Sequence, residues 1–216
     1  MLHTAFRAAV TLSALGVLVA PVDLRADEEP QPRIVIRMYD TAAIDPSVRE
    51  AAMRTTKDIV EDAGIAVQWM DCSRGGADHP CQTVRSGREL VVRIMPTAAE
   101  SMRAQDSFSI RGTVGDRDLQ LGFAAVDPAV QVGVLATMYY DRVQIVAERG
   151  GLDSGELLGR AMAHEVGHLL LRAAGHSPTG LMRAVWADEE LTGNRREDWV
   201  FSPQDRRLLQ AAASTP

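Results

Sequence analysis

The stretch Ala163–Met182, AHEVGHLLLRAAGHSPTGLM, constrains this chain more than any other, because it holds three of the five histidines: His164, His168 and His176. His164 and His168 stand four apart, so any helix containing them projects both imidazoles from one face. Glu165 lies about 100° round that helix from His164, beside the pair rather than in line with it. Two imidazoles can hold one Zn2+ at this spacing, while the glutamate approaches a water on the metal. A catalytic zinc takes three protein ligands and leaves a fourth position open. A straight helix would carry His176 about 18 Å from His164, so a third ligand there demands that the chain reverse. Gly175, as a helix cap free to adopt positive φ, and Pro178, which stops the helix resuming, predict that reversal.

The remaining elements follow from period and punctuation. Arg33–Asp40, RIVIRMYD, alternates apolar and charged residues as a strand with one buried face does. Asp45 as cap, Pro46 in the first turn and Gly64 as stop predict a helix between them. IAVQWMDC and Glu89–Pro96 read as further strands, and residues 97–120 as a long surface segment without sustained period. Leu121–Asp127 reads as a short strand, and Gly133–Glu148 as a longer strand running into a helix. Asp153 with Glu156 forms a capping-box pattern at the head of the histidine-bearing helix. The order predicts one α+β domain, a mixed sheet with helices packed against it.

The apolar run Ala8–Ala20, preceded by Arg7 and followed by a polar exit, has the form of a secretory signal peptide. Cleavage is expected after Ala26, leaving residues 27–216 as a single domain; an uncleaved signal anchor is the alternative. Export gives Cys72 and Cys81 a meaning. They flank a polar, turn-rich loop, and in an oxidising compartment a disulfide closing it is expected. A metal site with His79, or two free thiols, are the other readings. The net charge of −6 comes without any block of like charges, which argues against nucleic acid or an anionic membrane surface as partner.

HEVGHLLLRAAGHSPTGLM resembles the signature of the metzincin clan of zinc metallopeptidases, His-Glu-x-x-His-x-x-Gly-x-x-His followed by a methionine turn, and especially the small secreted bacterial proteins of matrixin-like type. The resemblance implies a zincin-like fold: a mixed twisted sheet with an antiparallel edge strand, packed against an active-site helix and a second helix. It makes His164, His168 and His176 the zinc ligands, Glu165 the general base and acid, and Met182 the Met-turn residue beneath them. Leu121, Gly122, Phe123, Ala124, Ala125 and Val126 take the part of the edge strand on which the family lays an extended peptide. Two departures stand out. Leu171 occupies the place of the signature glycine, and the third histidine comes two residues late, which predicts a slightly longer active-site helix turning at Gly175. Glu189 or Glu190 is the rival third ligand, in the manner of thermolysin-like enzymes. Trp186, Trp199 and Phe201 read as packing residues. The implied function is a secreted or periplasmic, monomeric, zinc-dependent endopeptidase acting on peptides or proteins. The alternatives are a non-catalytic secreted zinc-binding module and a zinc hydrolase of a non-peptide amide such as a cell-wall component.

Overall fold

The computed structural model describes residues 31–73, 79–83, 89–97, 109–114, 117–127 and 132–214. The expected signal peptide, residues 1–26, lies outside the described residues. Strand β1 (Arg33–Asp40), helix α1 (Pro46–Asp62), β2 (Ala66–Asp71) and β3 (Glu89–Met95) come first. They are followed by β4 (Ser109–Val114), β5 (Arg117–Gln120), β6 (Gly122–Asp127) and β7 (Val132–Tyr139). Then come α2 (Tyr140–Gly150), α3 (Ser154–Leu171), β8 (Val185–Trp186), α4 (Asp188–Gly193) and α5 (Pro203–Ser214).

The main sheet has the order β2-β1-β3-β7-β6. Its first three pairings are parallel, and β6 closes the edge antiparallel to β7. The architecture is the expected α+β, zincin-like one. The alternation of β1 is honoured, with Ile34, Ile36 and Met38 all buried. Arg37 between them is also buried, paired with Glu89 at 2.5 Å and donating to the carbonyls of Cys81 and Thr83. Helix α1 starts where the cap predicted, Asp45 accepting from the Ser47 amide at 2.8 Å, and the chain leaves it through Gly64 at φ 84°.

One expectation fails. Residues 97–120 carry β4 and β5, which pair antiparallel, with β4 also running parallel to β8 in a second sheet of order β5-β4-β8. The Ile110↔Trp186 pairing spans too much sequence for local periodicity to register.

Helix α3 is buried on every side from Leu157 to Leu170, its apolar residues packed into the core and Arg160, His164, Glu165 and His168 buried with them. Burying Leu157, Leu158, Met162, Val166 and Leu169 contributes roughly 1.5–3 kcal/mol per side chain relative to exposure. Cys72 and Cys81 are disulfide-bonded with Cα atoms 5.8 Å apart. His79 caps the short turn at Pro80–Gln82, its Nδ1 accepting from the Cys81 amide, so the thiol and metal readings of this loop fall away. Among the described residues no helix is long and apolar enough to cross a membrane.

Candidate metal centre

Asp153 caps α3, accepting from the Glu156 amide at 2.7 Å, and sets the phase that turns His164 and His168 to one face. The Nδ1 of His164 lies 2.8 Å from the Leu181 carbonyl, and the Nδ1 of His168 lies 2.8 Å from the Ala173 carbonyl. A carbonyl only accepts, so both Nδ1 atoms carry the proton and both Nε2 atoms are bare. Those two Nε2 atoms face one another at 3.0 Å.

Two lone pairs at that distance repel unless a cation lies between them or one ring is charged. Burial works against the charged ring. It holds His164 well below the usual histidine range, reinforced by His168 and His176 and opposed by the Leu181 carbonyl. It lowers His168 to about 4, with the Ala173 carbonyl opposing and His176 adding to the effect. A metal cation is what this arrangement accommodates. Tetrahedral zinc with Zn–N bonds of 2.0–2.1 Å sets its ligand nitrogens about 3.3 Å apart, close to the observed pair.

His176 joins them. Its ring lies 4.8 Å from that of His168 and 5.5 Å from that of His164, centroid to centroid. The three ligand atoms all lie within 4.8 Å of one another, the only such metal-capable cluster among the described residues. The donor set of three neutral imidazoles suits zinc. Glu190 does not compete. It pairs with Arg183 at 2.6 Å and accepts from the Ala187 amide at the head of α4, while Glu189 is exposed.

The reversal that brings His176 back differs from expectation. Helix α3 ends at Leu171, and Arg172 takes the left-handed turn at φ 53°. Gly175 has no left-handed φ, and nothing lies within 4 Å of where its Cβ would be. The helix is therefore not longer; the two extra residues sit in the loop after it. Arg172 adopts the strained conformation because the Ala173 amide bonds back to the His168 carbonyl and the Ala173 carbonyl holds His168.

Glu165 is buried, and burial pushes its carboxyl up to about 8, opposed by the amide of Ala124 in β6. Its Oε1 has no hydrogen-bond partner. The expected edge strand thus comes to the carboxylate: β6 lies at the sheet edge and touches Glu165 through its own backbone. The run begins one residue late, for Leu121 precedes β6 and is fully buried.

No family model matches the sequence, and no curated protein matches it. Solved structures do match the fold. One is the crystal structure of archaemetzincin from Methanopyrus kandleri, with a TM-score of 0.50 and 14% identity, covering 86% of this chain and 98% of that one. The chain shares the archaemetzincin fold. At this identity the likeness concerns the course of the backbone.

Of the supports beneath the histidines, the resemblance anticipates Met182, and Trp186, Trp199 and Phe201 read as packing residues; the hydrogen bonds that tie them to the site have no local signal in the sequence. Met182 is buried against Gly167, where a Cβ would meet its Sδ at 2.6 Å and Phe201 at 2.9 Å. The Leu181 amide donates to Val200, while the Leu181 carbonyl takes both His164 and the Trp186 indole. Trp186 is fully buried, edge-on to both His164 and Trp199. Ser177, next to His176, donates from its amide to Met182 and from its hydroxyl to Asp205. Asp205 also exchanges bonds with Ser202, which caps α5. The Ser-x-x-Asp spacing signals that cap in sequence, but nothing local links it to His176.

Proposed function

We propose that this chain is an extracytoplasmic, zinc-dependent endopeptidase of metzincin class and matrixin-like type, acting as a monomer on peptides or proteins. The observation that carries the reading is the pair of bare, mutually facing Nε2 atoms of His164 and His168 with His176 beside them. His164, His168 and His176 would hold the metal. Bound there, zinc supplies a Lewis acid and an acidified water. The chain supplies the rest. Glu165 accepts a proton at its Oε1 and returns it to the leaving amine; burial alone lifts its carboxyl to about 8, and a cation held by the three histidines would draw it back toward the ionised form that accepts. The outward backbone groups of β6 pair with an extended peptide, giving affinity that depends little on side chains. The leader and the Cys72–Cys81 bridge both suit export to an oxidising compartment.

The test compares zinc-loaded wild type with Glu165→Gln on a peptide library and on cell-wall fragments, with and without chelator. Chelator-sensitive peptide cleavage that falls about a hundredfold to ten-thousandfold in a zinc-retaining Glu165→Gln is the expected result. Unchanged turnover in that variant sinks the mechanism. Cleavage of wall fragments alone would make the chain a hydrolase of non-peptide amides. Zinc binding without any cleavage would make it a binding module.

A further inference from the structure

The free edge of β6 does not run its whole length. The Tyr139 amide donates to the Leu121 carbonyl at 2.8 Å, so Leu121 faces β7. Antiparallel strands alternate, so Gly122 and Ala124 turn their amides and carbonyls outward, the Ala124 amide donating to Glu165. The outward carbonyl of Gly122 is taken, because the Gln120 side-chain amide donates to it at 3.1 Å. That amide stands where the N–H of a further strand would come. Exposure agrees: Gly122 is buried, Ala124 half-buried, and Ala125 and Asp127 exposed.

Gln120 is itself anchored. Its backbone carbonyl accepts from Arg142 Nη1 at 2.9 Å, and Arg142 Nε donates to Thr97 Oγ1 at 3.1 Å. The Arg142 guanidinium also lies 4.4 Å over the Tyr139 ring. Thr97 in turn donates to Asp141.

We propose that Gln120 is a specificity-determining residue: its amide closes the edge of β6 at Gly122, so a bound peptide pairs from the Ala124 carbonyl outward and its backbone stops there. This rests on the reading of β6 as the peptide-binding edge. It deepens that reading by limiting how many substrate residues pair on one side of the metal site.

The test uses zinc-loaded Glu165→Gln protein, which binds without turnover. Blocked alanine–leucine peptides, lengthened one residue at a time from either end, are titrated by fluorescence anisotropy. With Gln120 in place, affinity stops rising at a fixed length at one end. In Gln120→Ala the next residues at that end add about threefold to tenfold, one net hydrogen bond's worth. Gln120→Glu, which cannot donate to a carbonyl, gives the same extension and serves if the alanine variant does not fold. A rise that continues unbroken in the parent, or a plateau at the same length in the substituted proteins, overturns the proposal. Failure of every peptide to bind overturns the edge-strand reading itself, and the proposal with it.

Discussion

Gly167, between Glu165 and His168, is the position where packing and local preference oppose each other most directly. Replacing it with alanine removes a glycine from a helix interior, a change that favours the helix by roughly 0.5–1 kcal/mol. The new methyl, however, would sit 2.6 Å from Met182 Sδ, 2.9 Å from Phe201 Cε1 and 3.2 Å from Met182 Cε. A methionine end yields where there is room, but Met182 and Phe201 are both about 1% exposed, so neither has a vacant direction to take. Overpacking a closed core costs about 1–3 kcal/mol. The net expectation is a loss of about 1–2 kcal/mol, read as a Tm lower by roughly 2–8 °C for a domain of this size. The displacement should also reach the metal, because Met182 follows the residue whose carbonyl orients His164. Loss of such a support costs about tenfold in metal affinity at the lower end, measured by zinc titration against a chromophoric chelator. Met182→Leu in the same chain shortens the intruding side chain and should restore part of both. A higher Tm with unchanged zinc affinity for Gly167→Ala would mean that helix propensity outweighs the contact, and the reasoning would be refuted.

Three further outcomes follow from the same geometry. Gly175→Ala should change stability by less than about 0.5 kcal/mol, since its φ is ordinary and its surroundings open. Gly180→Ala should cost about 1–3 kcal/mol, because φ is 73° and a Cβ would lie 2.7 Å from the Val200 carbonyl; equal denaturant midpoints for the two variants would contradict the turn described. Asp205→Ala removes the Ser177 anchor and the carboxylate half of the α5 cap, leaving the Ser202 hydroxyl to accept from the backbone amide at that position. It should weaken zinc binding about tenfold, whereas Ser202→Ala, which spares Ser177, should lower stability with little effect on zinc. Equal zinc affinities in those two variants would detach His176 from the anchor. Zinc at a hundred times its Kd should add about 2.7 kcal/mol of stability, lost on chelation and absent in His164→Ala. A chelator-insensitive melting curve would count against the site.

Local chemistry was legible wherever one segment settles its own conformation. Asp45 and Asp153 cap the helices they were expected to cap, Ile34, Ile36 and Met38 point to one face, and the spacing of His164 and His168 places both rings together. The glycine at 175 misled because its freedom to turn the chain is a capacity, not a cause. The turn falls at Arg172, where the Ala173 carbonyl is wanted by His168. Residues 97–120 misled for the opposite reason. Besides its neighbour β5, β4 pairs with β8, late in the chain, and no local pattern announces a pairing of that range.

By itself, then, the sequence determined which side chains carry the chemistry and on which helix face two of them stand, because i,i+4 geometry and capping are local. Only the tertiary structure decided what those side chains can do. The carbonyls of Leu181 and Ala173 bare the two Nε2 atoms, burial holds both rings neutral, and β6 delivers its edge to Glu165 with Gln120 across its end. Each of these depends on backbone groups brought together from separate segments, whose positions no residue type encodes.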